Sequence, residues 1–146
     1  MIIKELSVLS EAQVGEVISL MGELDPEIVV TPEMVRRMLE SASSHFFAIM
    51  AEDHIIACAT LCVFDSPTGR KASVEDVVVN SKYRGQGLGK MLMQNVIAFA
   101  KAELKTVDLH LTSRPHRVAA NGLYQSLGFG QKETNVYVLK LREEGR

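Results

Sequence analysis

Cysteine occurs only twice in this chain of 146 residues, proline only four times, and neither a basic run nor a long apolar stretch is present. Each scarcity excludes something. Cys58 and Cys62 lie four apart in a segment that reads as a strand, so they share a face but sit too far apart for a disulfide. No second pair lies nearby to complete a tetrahedral set, so no metal site is expected, and the two thiols read as small core residues. No internal repeat, linker or low-complexity tract divides the chain, and residues 1–146 are expected to form a single domain. A net charge of −2 without a basic run argues against nucleic acid as partner and leaves small-molecule and protein substrates open. No stretch approaches membrane-spanning length, and Met1 to Glu11 lacks a signal-peptide core, so no membrane association and a cytoplasmic location are expected. Apolar residues make up 47% and charged residues 23%, an ordinary globular mix.

What is present centres on Ala72 to Asn95. Val74, Val77, Val78 and Val79 form a β-branched run with two carboxylates, Glu75 and Asp76, embedded in it. Asn80, Ser81 and Lys82 break the run, and Arg84-Gly85-Gln86-Gly87-Leu88-Gly89 follows. Beyond it Leu88, Met91, Leu92, Val96, Phe99 and Ala100 recur at helical spacing. A glycine-rich turn between a strand and a helix suits anion capture, because backbone N–H groups converge there and the helix start adds unpaired donors and a positive dipole end. A diphosphate matches that description, and Arg84 adds a cation able to fork onto phosphate oxygens. A Walker loop starting at Gly85 and a dinucleotide fingerprint both require glycine where Lys90 stands, so neither fits.

The remaining segments are read in order. Ile2 to Val8 alternates as a short strand. Ser10 with Gln13 forms a capping box, and Val14, Val17, Ile18, Met21 and Leu24 give a helix face that Asp25-Pro26 ends. Thr31-Pro32 starts a second helix with Met34, Val35, Met38 and Leu39 on its buried side. Phe46 to Ala51 and Ile55 to Phe64 read as a hairpin turning at Glu52-Asp53, with His54 facing solvent and His45 lacking an evident partner. Asp65 to Lys71 reads as a loop. The long helix is expected from about Gly87 to Lys105 and the next strand over Val107 to Thr112. A shorter helix follows with Ala119, Ala120, Leu123 and Leu127 buried and Gly128 as terminator. Val136 to Leu141 alternates as a closing strand, and Arg142 to Arg146 is expected to fray. The predicted class is α/β (α+β), with the order β-α-α-β-β-β-α-β-α-β around one mixed, mostly antiparallel sheet.

Arg84, Gly87 and Gly89 in the spacing Arg-x-x-Gly-x-Gly, behind an apolar strand, resemble the acetyl-coenzyme A signature of the GNAT N-acetyltransferase superfamily. Asn121-Gly122-Leu123-Tyr124 followed by Leu127-Gly128-Phe129 resembles that family's other recurring segment, and the element order matches its fold over nearly the whole chain. The resemblance implies that the central strand splays from its neighbour to admit the pantetheine arm, against Val77, Val78 and Val79. It implies that backbone N–H groups from Arg84, Gly85, Gln86, Gly87, Leu88, Gly89 and Lys90 hold the pyrophosphate, and that Asn121 holds the arm from the other side. Tyr124 matches the tyrosine many members use as general acid on sulfur. Glu75, slightly ahead of Asp76, is the implied base, the two being adjacent in a strand and therefore expected on opposite sides.

The Glu-Asp-Val-Val-Val pattern is also similar to glucosamine 6-phosphate N-acetyltransferases, in which case Arg114, His116 and Arg117 would meet a sugar phosphate. The segment from Thr112 to Asn121 departs from the shorter version in those enzymes. The implied activity is acetyl transfer from acetyl-coenzyme A, as cosubstrate, to a primary amine of a small metabolite, without a metal. A protein N-terminus or lysine as acceptor, and a non-catalytic acyl-coenzyme A sensor, are the alternatives. The resemblance leaves a homodimer open.

Overall fold

The computed structural model describes residues 1–142. The expected fraying at the C-terminus falls, for 143–146, outside the described residues. The chain divides into two compact units, Met1–Thr112 and Ser113–Arg146.

The first unit is built on a five-stranded sheet in the order β1-β2-β3-β4-β5. The strands are β1 (Ile2–Glu5), β2 (Ser44–Ala51), β3 (His54–Ser66), β4 (Gly69–Val79) and β5 (Asp108–His110). The first four pair antiparallel and β5 joins β4 in parallel. Between β1 and β2 come α1 (Glu11–Leu24) and α2 (Pro32–Glu40); α3 (Leu88–Phe99) lies between β4 and β5. This is the expected mixed, mostly antiparallel class.

Local signals set the helix ends. Gln13 N–H donates to Ser10 Oγ at 3.1 Å and Ser10 N–H to Gln13 Oε1 at 3.0 Å, so the capping box is complete. Thr31 Oγ1 accepts from Met34 N–H at 3.2 Å, with Pro32 in the first turn. Val14, Val17 and Leu20 of α1 and Val35 of α2 pack against Phe46, Ala48, Met50, Cys58 and Val78 on one face of the sheet. Burial pushes the Cys58 thiol up to about 12, which suits a core residue; both cysteines are free. The α3 side is lined by Leu88, Leu92, Met93, Val96 and Ala100, and Phe99 meets Phe47 edge-on at 5.2 Å. Met91, expected inside, is exposed, and Met93 takes the buried position.

Several expectations need correction. The loop expected over Asp65 to Lys71 is nearly all strand, leaving Pro67-Thr68 as the turn between Ser66 and its partner Gly69. Charged side chains stabilise that hairpin across strands, Arg70 Nε lying 3.1 Å from Asp65 Oδ1. The long helix stops its α-geometry at Phe99 and closes with a π-helical turn over Ala100–Leu104, ended by Lys105 at φ +59°. His45, expected without a partner, has Nδ1 2.7 Å from Glu5 Oε2 on β1.

The β2–β3 hairpin turns at Glu52-Asp53 as expected, and α1 holds its tip. Gln13 Nε2 donates to Asp53 O at 3.0 Å, Ile55 N–H donates to Glu16 Oε1 at 3.3 Å, and His54 Nδ1 lies 2.7 Å from Glu16 Oε2. The hydrogen bond to Glu16, then that carboxylate's charge, raises the His54 pKa above its ordinary 6.5. A raised histidine pKa contributes stability below the unfolded value and loses it as pH rises through the folded one. Ring-proton NMR is therefore expected to show His54 titrating above 6.5 in the wild type and at a lower pH in Glu16→Gln.

In the second unit α4 spans Val118–Ser126. Phe129 N–H donates to Tyr124 O at 3.0 Å and Gly128 N–H to Gln125 O at 3.1 Å, with Gly128 at φ +98°. This is a Schellman closure, and the Tyr124–Phe129 ring pair at 6.1 Å supplies its apolar contact. Gly128 thus terminates the helix as read. The burial expected for α4 is not found: Ala119 is exposed, and Ala120, Leu123 and Leu127 are half-buried. The closing strand expected at Val136 to Leu141 is not formed either. Its apolar side chains are 69–88% exposed, and alternation alone cannot make a strand without a ladder to join.

Candidate functional site

The centre of the first unit is an irregularity in β4. Val74 pairs with Leu61 and Val79 with Ala57, so two residues five apart lie on one face. Glu75 pairs with Thr60 and Val78 with Cys58 on the other face. An odd separation on one face requires an inserted residue, and the register shift between Cys58 and Thr60 marks it. Asp76 carries the insertion at φ +54°, a left-handed backbone that aspartate tolerates better than most residues.

Glu75 and Asp76 stand at the bulge, and both are exposed. Glu75 shares the face that α1 and α2 cover, and its Oε1 accepts from Ser73 Oγ at 2.5 Å. Desolvation of the Asp76 carboxyl, then the neighbouring Glu75 charge, raises its pKa above the ordinary carboxylate value.

Pairing to β5 involves only Lys71, Ala72 and Ser73, opposite Asp108, Leu109 and His110. From Val74 to Val79, β4 continues with no strand on that side among the described residues. The two strands part just before the bulge, as the splayed arrangement requires. Val78 is buried while Val77 and Val79 are half-buried.

A 3₁₀ turn, Ser81–Tyr83, leads from β4 to the glycine segment. Gly85 and Gly87 take φ of +79° and +76°, a conformation that costs other residues about 1–2 kcal/mol. A Cβ at either position would meet nothing within 4 Å, so backbone conformation rather than crowding calls for glycine there. Gly87 is the N-cap of α3 and supplies no side-chain cap to the first-turn N–H groups of Leu88, Gly89 and Lys90. Gln86 and Lys90 are exposed beside them. Arg84 Nε donates to Val79 O at 3.0 Å, which ties the arginine back to the end of β4.

In the second unit Asn121 Nδ2 donates to Arg114 O at 3.0 Å, and that carbonyl also accepts from Arg117 N–H at 3.0 Å. Asn121 therefore braces the Arg114–Arg117 turn. Arg114 and His116 are exposed and Arg117 is half-buried. Tyr124 is half-buried; desolvation raises its pKa above 10, and the Arg117 charge opposes the rise. Among the described residues no three His, Cys, Asp or Glu side chains converge to hold a metal, and no helix is long and apolar enough to cross a membrane.

The sequence reading missed Glu23 of α1, whose Oε1 accepts from Ser81 N–H at 3.1 Å. No local pattern announces a contact between residues 58 apart. It also missed the bulge, for which the only sign was a pair of carboxylates inside a valine run.

The chain matches the acetyltransferase (GNAT) family profile over residues 17–129. It is 28% identical over 99 residues to N-acetyltransferase 8B of Homo sapiens, covering 66% of this chain and 43% of that protein. The chain thus spans less than half the length of the first curated relatives it matches. Among solved structures, a ribosomal-protein-alanine N-acetyltransferase from Brucella melitensis biovar Abortus 2308 superposes with TM-score 0.75 at 16% identity, over 97% of this chain and 100% of that one. An aminoglycoside acetyltransferase from an uncultured soil metagenomic sample, in complex with sisomicin, superposes with TM-score 0.78 at 17% identity, over 97% and 96%. These likenesses concern the fold.

Proposed function

The chain belongs to the acetyltransferase (GNAT) family, and from that premise we propose that it is an acetyl-coenzyme A-dependent N-acetyltransferase acting on a primary amine of a small molecule in the cytoplasm, with residues 1–146 working as one domain. One observation carries the reading: β4 leaves its pairing with β5 at Ser73 and runs on into a glycine turn and an uncapped helix start. A free strand edge accepts the amide groups of an extended ligand, and converging backbone donors at a helix start accept a diphosphate. Acetyl-coenzyme A carries both parts and supplies the activated acetyl group.

The chain's residues then divide the work. Val77, Val78 and Val79 offer the strand edge, and the N–H groups from Gly85 to Lys90 offer the diphosphate seat. Glu75 and Asp76 attract the acceptor's ammonium and take its proton, directly or through water. The raised pKa of Asp76 brings it nearer the range of a useful base. Tyr124 donates its phenolic proton to the sulfur as the new amide bond replaces the thioester. Asn121 holds the coenzyme arm, and Arg114 and Arg117 contact the acceptor.

A small acceptor is supported by the compactness of the carboxylate pair, two adjacent residues rather than an acidic tract. A peptide N-terminus is the second reading, since a ribosomal-protein-alanine N-acetyltransferase shares this fold. Calorimetric titration with acetyl-coenzyme A is expected to give saturable binding, and thiol release is expected with members of a small-amine panel. Release with peptide N-termini alone would transfer the acceptor to the second reading. Absence of binding by the folded wild type would overturn the activity.

A further inference from the structure

Gly85 and Gly87 have no side chains to fix the start of the turn, so its position depends on the residues before it, 79–84. Those residues are unusually well tied. Asn80 N–H donates to Ile56 O at 2.8 Å, and Asn80 Oδ1 accepts from Lys82 N–H at 2.9 Å. Tyr83 N–H donates to Asn80 O at 2.9 Å, and Arg84 Nε reaches back to Val79 O at 3.0 Å. All of these ties are made to β3 or within the turn itself, with one exception. Glu23, in the last turn of α1, brings Oε1 to Ser81 N–H at 3.1 Å. Its carboxyl is held below the ordinary value chiefly by hydrogen bonding to Ser81, and the Arg84 charge adds to the effect. One carboxylate thus engages the first residue of the 3₁₀ turn and faces the arginine that ends it.

We propose that Glu23 is a positioning residue for the coenzyme seat: by capturing the Ser81 amide beside Arg84 it fixes the turn from which the donors of Gly85 to Lys90 are aimed. The inference rests on the acetyl-coenzyme A reading above. Charge alone argues the other way, because a carboxylate near a diphosphate repels it and its neutralisation would tighten binding. Geometry and charge therefore predict opposite effects, and the two can be separated.

Two variants, Glu23→Ala and Glu23→Gln, separate them. Glu23→Ala removes the acceptor, and the KM for acetyl-coenzyme A is expected to rise about three- to tenfold while kcat stays within about twofold. Glu23→Gln keeps an acceptor oxygen for Ser81 and is expected to restore most of the affinity. Amide hydrogen exchange at Ser81 in the coenzyme-free protein gives a readout that needs no activity: faster exchange is expected in the alanine variant and near-wild-type exchange in the glutamine variant. Unchanged Ser81 exchange in Glu23→Ala overturns the clamp. Faster exchange with an unchanged KM, or tighter binding in both variants, overturns its positioning role. Failure of the acetyl-coenzyme A reading is recognised separately, since the wild type itself would then show no saturable binding, and the positioning role falls with it.

Discussion

Gly87→Asp is expected to weaken acetyl-coenzyme A binding by more than about a hundredfold while leaving the fold intact. Gly87 holds φ +76° at the N-cap of α3, and a Cβ there meets nothing within 4 Å. Aspartate is among the residues that accept a left-handed backbone most readily, and it is a favoured N-cap. The substituted carboxylate would stand beside the first-turn amides and compete for the donors meant for a diphosphate, at a backbone cost that aspartate bears better than most residues. It would also place a negative charge beside the phosphates, where unit charges about 4 Å apart interact by roughly 4 kcal/mol at an effective dielectric of about 20. That exceeds the roughly 2.7 kcal/mol of a hundredfold change. Gly87→Asn separates the two causes, since it occupies the donors without the charge and is expected to fall between wild type and Gly87→Asp. Calorimetric titration beside a thermal melt reads both quantities. Equal binding by Gly87→Asp and wild type would remove the glycine turn as an anion seat.

How much of this was legible beforehand follows from how far each signal reaches. Ser10 with Gln13, Thr31 with Pro32, and Gly128 after Leu127 are signals within one turn of helix, and each appears with the expected geometry. The glycine turn is equally local, since Gly85 and Gly87 answer a demand of their own φ. What failed was non-local. The extent of β4–β5 pairing depends on Asp108 to His110 meeting Lys71 to Ser73, and nothing in either segment states where the ladder stops. The bulge at Asp76 is visible only as a mismatch against β3. The contact of Arg84 Nε with Val79 O, five residues back, is likewise stated by no pattern. Nor does the sequence state that the Asn121 amide braces Arg114 O, a bond that follows from a side-chain amide satisfying a nearby carbonyl. Val136 to Leu141 has the strongest alternation in the C-terminal segment and forms no strand, which shows that period-2 patterning is permissive rather than sufficient.

Tyr124→Phe tests the chemistry rather than the binding. If the phenol is the proton donor to sulfur, kcat is expected to fall about 10²- to 10⁴-fold with the KM for acetyl-coenzyme A little changed. The substitution keeps the ring that meets Phe129 at 6.1 Å and the Schellman closure whose carbonyl belongs to Tyr124, so the fold is expected to survive. Desolvation raises the Tyr124 pKa above 10, and the Arg117 charge restrains the rise. A raised value makes the phenol a weaker acid but keeps it protonated across the working range, so the donor is always loaded. A thiolate leaving in equally poor contact with water is itself more basic than in bulk solution, which keeps the transfer feasible. The sign for pH follows: activity that needs the protonated phenol is present below its pKa and is lost as pH rises through it. The alkaline limb of kcat assigned to Tyr124 is therefore expected above 10 in the wild type and absent from the residual activity of Tyr124→Phe. Arg117→Gln removes the charge that favours the phenolate and is expected to move that limb further upward. A Tyr124→Phe variant with wild-type kcat would reduce Tyr124 to a packing residue and assign the proton to water or another group.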